Sequence, residues 1–308
     1  MDGDMIRQWA QKALSSICLA AAACSVGAHP ETARAATDQL GREVRIPAQV
    51  RRIVSLAPSI TEILFALGAG HRVKGVTRFS NFPPEAETLP KVGSYVHLDL
   101  EKIVALRPDL CIAVKDGNPK DVIDRLDHLG IPVYAVDPRN LQAVKDTILE
   151  IGALLDVMPD ARRLVGEMDR RIRRITSKTA GVTHRPTVFF QIGISPIVSA
   201  GTDTFIHELI TLSGGINLAQ GPVPYPRFSR EQILALSPEV FIITSMARGA
   251  IFERIRSEWR RWPQIPAVKK DRIHLIDSDL VDRASPRLVE GLEILARLIH
   301  PTLFRAAP

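Results

Sequence analysis

Two glutamates raise the first chemical question in this chain of 308 residues. Glu101 opens EKIVALRPDLCI and Glu231 opens EQILALSPEVFI; six of the twelve positions are identical and three more exchange like for like. A carboxylate at a helix start interacts favourably with the helix dipole, which accounts for one such glutamate. Why the same dozen is written twice is not answered by local physics. The other reactive side chains form no catalytic constellation. There is no G-x-S-x-G, no P-loop, no strand-borne G-x-G-x-x-G and no H-E-x-x-H. Ser55, Ser59 and Ser80 have no histidine partner at a defined spacing. A bare metal ion takes three or four converging ligands; His97, Asp279 and Asp282 are a thin set, and His128 and His207 fall inside helical patterns. SLAPSITE can cradle an anion on a helix N-terminus, which serves binding as well as catalysis. Nothing here calls for turnover.

The elements that carry these residues follow from hydrophobic periodicity. From residue 50, short β-branched runs (RRIVSL, VKGVT, DLCIAV, PVYAVD) alternate with helical patterns, the signature of a parallel α/β sheet. The first helix, SITEILFALGA, carries Ser59 and Glu62 in an S-x-x-E spacing that predicts a capping box. After Pro159 the alternation stops. In DARRLVGEMDRRIRRITSKTA the apolar residues Leu164, Met168, Ile172 and Ile175 make one stripe at helical spacing, the rest being mostly arginine and polar. This predicts a long helix lying across a core and connecting two α/β stretches. The alternation then resumes through TVFFQIG, EVFIITS and RIHLID to a last helix with Leu288, Leu292, Leu295 and Ile299 on one face. Each copy of the dozen therefore occupies an equivalent helix–proline–strand place in its own lobe.

Composition sets outer limits. Apolar content of 45% and charged content of 24% suit a globular protein, and the length suits two domains. The net charge of +6 is spread along the chain with no basic tract interleaved with aromatics, which argues against nucleic acid. Arg7 and Lys12 precede the apolar run ALSSICLAAAACSVGA, and Ala33-Arg34-Ala35 has the A-x-A form of a cleavage site. Residues 1–35 are read as a secretory signal, with Val26-Gly27-Ala28 as an alternative cut and a lipoprotein anchor at Cys24 as a lesser possibility. Cys18 and Cys24 belong to that segment, so only Cys111 remains, in a strand where a buried structural thiol is expected.

DQLGREVRIPAQVRRIVSLAPSITEILFALGAG resembles the opening of periplasmic substrate-binding proteins of the helix-linked class, which feed ABC importers. The resemblance implies an α/β fold of two Rossmann-like lobes, 36–157 and 182–308, joined by a single long helix over 158–181, with the ligand cleft between the lobes. VPYPRFSREQILALSPEVFIIT, SDLVDRASPRL, RFSNFPP and QIGI are similar to segments of the cobalamin (vitamin B12) binding members of that class. Matched position by position, the ligand-binding residues implied are Phe79, Tyr95 and Tyr225 with the polar pair Asp279 and Arg283. Val114 and Ile192 stand where those members carry aromatics. Cobalamin would be a transported ligand, not a cofactor, and the protein a periplasmic monomer, not an enzyme. In that class a glutamate on each lobe docks onto arginines of the permease dimer, and Glu101 and Glu231 fall on those positions. Rival ligands are haem, with His97 as an axial candidate, and a ferric siderophore held by Arg78, Lys115, Arg227 and Arg283.

Overall fold

The computed structural model describes residues 33–244 and 250–304; the signal-segment reading falls mainly on residues 1–32, outside them. An antiparallel hairpin comes first, β1 (Arg34–Thr37) against β2 (Glu43–Ile46). The N-terminal lobe then runs β3 (Ile53–Ser55), α1 (Pro58–Ala66), β4 (Val73–Gly75), α2 (Leu100–Ala105), β5 (Leu110–Val114), α3 (Lys120–His128), β6 (Val133–Val136) and α4 (Leu141–Leu154). Its four strands form a parallel sheet in the order β4-β3-β5-β6. Helix α5 (Met158–Thr179) crosses to the C-terminal lobe, which comprises β7 (Thr187–Gln191), β8 (Gly193–Ile194), β9 (Ile197–Val198), α6 (Phe205–Leu212), β10 (Ile216–Asn217), β11 (Arg227–Phe228), α7 (Arg230–Leu236), β12 (Val240–Thr244), α8 (Ala250–Trp259), α9 (Pro266–Lys269), β13 (Ile273–Ile276) and α10 (Leu288–Ile299). Here the parallel order is β10-β7-β12-β13, and β11-β9-β8 form a small antiparallel sheet beside it.

The central strands explain themselves. LCIAV of β5 and VFIIT of β12 have no polar–apolar alternation, because helices cover both faces of each sheet. Cys111 is fully buried in β5, and burial pushes its thiol well above the usual range. In the C-terminal lobe Phe189, Phe241 and Trp259 stack through centroid distances of 5.3 and 4.8 Å, and the Trp259 indole N–H donates to Gln191 Oε1.

On α5 the buried residues are Ala161, Met168, Ile175 and Thr179, the first three spaced by seven, with Leu164 and Ile172 half-buried beside them. That stripe joins the core shared by both lobes. The helix is clamped at its flanks: Lys145 of α4 pairs with Asp169 at 2.7 Å, and Arg171 makes a two-bond fork with Glu293 of α10.

One expectation from local pattern fails. Ser59 and Glu62 do not form a capping box: α1 begins at Pro58, its N-cap is Ala57, and no side chain caps it. A proline at the first helical position brings a pre-set φ and no N–H to satisfy, so the helix starts a residue earlier. Glu62 is then a mid-helix residue, buried and pointed at the other lobe.

Candidate ligand cleft and docking helices

Glu62 is the centre of the contact between the lobes. Its side chain is 1% exposed, and Oε1 accepts from Arg283 at 2.8 Å and from Arg287 at 3.4 Å while Oε2 accepts from Ser285 Oγ at 2.5 Å. Arg283 also donates to Asn81 Oδ1 and to the Phe79 carbonyl, and pairs with Asp279 at 2.8 Å. Asn81 donates in turn to Asp279 Oδ2. Arg287 lies over the Phe82 ring, 4.0 Å from its centroid. The implied polar pair, Asp279 and Arg283, thus sits where the lobes meet, already joined to each other and to the N-terminal lobe. A second bridge lies at the start of α4, where Leu141 N donates to Glu208 Oε2 of α6; burial raises the Glu208 carboxyl, and the Leu141 N–H works against that rise.

The implied aromatics line the space beside this contact. Phe79 and Tyr95 meet edge to face, centroids 6.4 Å apart. Phe79 stands on a turn braced from beneath by a buried hydroxyl chain, Ser55–Thr61–Ser80–Thr77, with links of 2.8 to 3.0 Å. Two of the candidate serines are therefore structural. Tyr95 packs on Gly117, where any Cβ would come within 2.6 Å of its ring. Asn118 fixes that arrangement, donating to the carbonyls of Leu56 and Tyr95 and accepting from Val114 N. Tyr225 is held from the C-terminal lobe by backbone bonds on either side, Gly201 N to Pro224 O and Ser199 N to Pro226 O. Gly201 permits this: an added Cβ would lie 2.0 Å from the Val223 carbonyl oxygen. The Tyr225 hydroxyl is raised by desolvation and by the charges of Asp282 and Asp116. Val114 and Ile192 are half-buried and packed against the core.

Exposed apolar surface is concentrated here. Of the eleven large exposed hydrophobics among the described residues, six (Phe79, Phe82, Tyr95, Val96, Val223 and Tyr225) lie on these three loops. Asp282 adds an exposed carboxyl beside Arg283. Desolvation, then the charge of Asp279, pushes it up to about 7. Its carboxylate makes no hydrogen bond or ion pair among the described residues. Of the basic residues considered for a siderophore, Lys115 is paired with Asp137 and Arg283 is engaged as above. His97 is exposed on the Tyr95 loop, and the described residues contain no group of three or more His, Cys, Asp or Glu able to hold a metal.

Glu101 and Glu231 occupy matching positions in a repeat that holds in detail. Both are exposed in the first turn of α2 and α7. Each helix is capped two residues earlier, by Asp99 accepting from Lys102 N and by Ser229 accepting from Gln232 N. Each has its isoleucine, Ile103 or Ile233, fully buried, and each leaves the helix through a left-handed residue, Arg107 at φ 46° or Ser237 at φ 49°. Two residues on, an acid anchors the lobe's opening strand: Asp109 accepts from Arg51 N and Arg52 N, and Glu239 from Thr187 N. Hydrogen bonding from the Ser229 side chain holds the Glu231 carboxyl below its ordinary range. Sequence reasoning missed Glu62, Asn81, Asn118, Ser285 and Arg287 as organisers, because their partners are distant in sequence and no spacing signals them.

The match to the periplasmic binding protein family covers residues 53–280. The chain belongs to that family. Relatives of this periplasmic binding protein include an uncharacterized ABC transporter substrate-binding lipoprotein, YvrC, of Bacillus subtilis, 33% identical over 274 residues, covering 87% of this chain and 86% of the relative. A vitamin B12-binding protein of Salmonella typhimurium is 33% identical over 239 residues, 77% of this chain and 86% of that one. Among solved structures, the periplasmic heme-binding protein RhuT from Roseiflexus sp. RS-1 in apo form superimposes with a TM-score of 0.75 at 27% identity, covering 82% of this chain and 99% of that one. This periplasmic binding protein is accordingly an ABC-type substrate-binding protein, with two α/β lobes and a cleft between them.

Proposed function

We propose that the chain carries a corrinoid, cobalamin, through the periplasm to an ABC importer. The observation that carries the reading is the set of exposed aromatics, Phe79 and Tyr95 in edge-to-face contact on the N-terminal lobe and Tyr225 on the C-terminal lobe. A corrinoid is a broad ring with apolar faces and an amide fringe. It needs flat apolar walls and a few donors and acceptors at the rim, which the tyrosine hydroxyls and Asp282 supply, with Asp279 and Arg283 at the junction of the lobes. Tyrosine in place of the tryptophans usual in cobalamin binders at Tyr95 and Tyr225, and Val114 and Ile192 in place of aromatics, reduce flat contact and favour a rim-weighted mode of binding. The B12-binding relative supports this choice.

Haem is the second reading, favoured by the superposition on RhuT. Against it, desolvation and neighbouring carboxylates raise the Tyr225 hydroxyl, which disfavours the phenolate that iron would take. Isothermal titration with cyanocobalamin, with haemin and a ferric siderophore in parallel, separates the readings. One-to-one saturation by cyanocobalamin alone is expected; saturation by haemin alone overturns the corrinoid assignment and keeps the family. Delivery would proceed through Glu101 and Glu231, one carboxylate per permease subunit, since charge-assisted carboxylate–arginine bonds set orientation and on-rate. The lobe limits 36–157 and 182–308 and the monomeric state belong to the same proposal.

A further inference from the structure

We propose that the solvent-facing arginine stripe of α5 is a docking surface for an anionic phospholipid bilayer. Arg162, Arg163, Arg170, Arg173, Arg174 and Lys178 are all exposed. At 100° per residue the five arginines fall on the face away from Ala161, Met168 and Ile175 and extend along the helix for about 18 Å, while Lys178 lies on the flank, over the Phe304 ring. Such a stripe is usually neutralised by neighbouring acids, and here it is not. Among the described residues, Arg162, Arg170, Arg173 and Arg174 have no ion-pair partner, while Arg163 takes Asp160 and Glu167. The remaining nearby acids are drawn inward, Asp169 to Lys145 and Glu293 to Arg171. Arg297 of α10 adds another exposed cation beside them.

The shape of the surface selects its partner. It is the outer side of a helix, with no concavity for a small anion. It carries no aromatic on which a base could stack, and no large apolar residue to insert. A planar array of phosphates suits it, bound at headgroup level by charge alone. The described chain also starts close by: Arg34, at the head of β1, donates to Asp156 and to the Leu154 carbonyl just ahead of α5.

The test is co-sedimentation of the mature protein with vesicles of phosphatidylglycerol and phosphatidylethanolamine, and with phosphatidylcholine alone, at low and high salt. It needs no ligand, so its failure is distinct from failure of the transport reading. Binding is expected to the anionic vesicles only, and to vanish at high salt. With about fivefold per cation at the surface, R170Q/R173Q/R174Q should weaken binding about a hundredfold and R170E/R173E/R174E abolish it. R125E/R254E/K269E makes the same change in net charge as the latter on other faces and should bind as the parent does. Absence of parental binding to anionic vesicles, or equal loss in that control, overturns the proposal. So does capture by polyglutamate without capture by vesicles, which assigns the stripe to an acidic polymer.

Discussion

At the scale of single residues, the buried carboxylate of Glu62 is the group on which the lobes converge. It holds Arg283, Arg287 and Ser285 at once. Removing one partner of a buried ion pair leaves the others uncompensated, at a cost of about 3–5 kcal/mol. Glu62→Gln preserves the shape and removes the charge, so calorimetry should show a melting temperature lower by roughly 2–4 °C per kcal/mol lost. An unchanged melting temperature would show the cluster to be solvated in practice. Asp282 behaves in the opposite sense. Its carboxyl is raised to about 7, so between the ordinary carboxylate value of about 4 and that point the native state holds a proton the unfolded chain has released. Stability from this group is complete below the window and is lost as pH rises through it. Asp282→Asn removes the dependence. Its melting temperature relative to the parent should climb across the window and level off above it; a parallel pair of pH profiles would refute the assignment.

At the scale of elements, α2 and α7 are one device used twice: cap, exposed glutamate, buried isoleucine, left-handed exit and acid anchor recur at a fixed offset. A repeat kept in its solvent-facing glutamate as well as its core suits a partner with two equivalent subunits. Glu101→Ala with Glu231→Ala is expected to abolish uptake by whole cells and leave ligand affinity in titration unchanged, since both side chains face solvent. Loss of affinity would mean that the helices shape the cleft and do not dock it. The hairpin β1–β2 bears on processing. Arg34 and Ala35 pair with Ile46 and Arg45 and form the first half of β1, so a cut after Ala35 discards half a strand together with the Arg34–Asp156 bond. A cut after Ala28 leaves both intact. The intact mass of the exported protein should correspond to a chain beginning at His29; a chain beginning at Ala36 would contradict this.

At the scale of the whole molecule, the lobes are fastened together by side-chain bridges. The Glu62 cluster and the Leu141–Glu208 bond bridge them from two places, and α5 is clamped to α4 on one side and α10 on the other. A cleft fastened in this way is largely preformed, which limits the ordering cost of binding. The radius of gyration from small-angle scattering should therefore change by about 1 Å or less on saturation with cyanocobalamin. A contraction of several ångströms would show that the bridges open in solution.

The sequence by itself determined the two parallel α/β lobes, the long helix between them and the duplicated helix–strand segment. These rest on periodicity and on a repeat, signals that lie within a dozen neighbouring residues. DLCIAV and EVFIIT had to be buried strands, and Met168 and Ile175 had to face a core, whatever else the chain did. It misplaced Glu62, because S-x-x-E is a local pattern and the fate of that carboxylate is decided by Pro58 before it and by Arg283, more than 200 residues away. Tertiary structure alone decided that Asp279 and Arg283 serve the junction of the lobes and that Ser55 and Ser80 brace the Phe79 turn. The physical reason is common to all of them. A buried charge or hydroxyl takes whichever partner the packed fold brings within about 3 Å, and spacing along the chain carries no record of that partner.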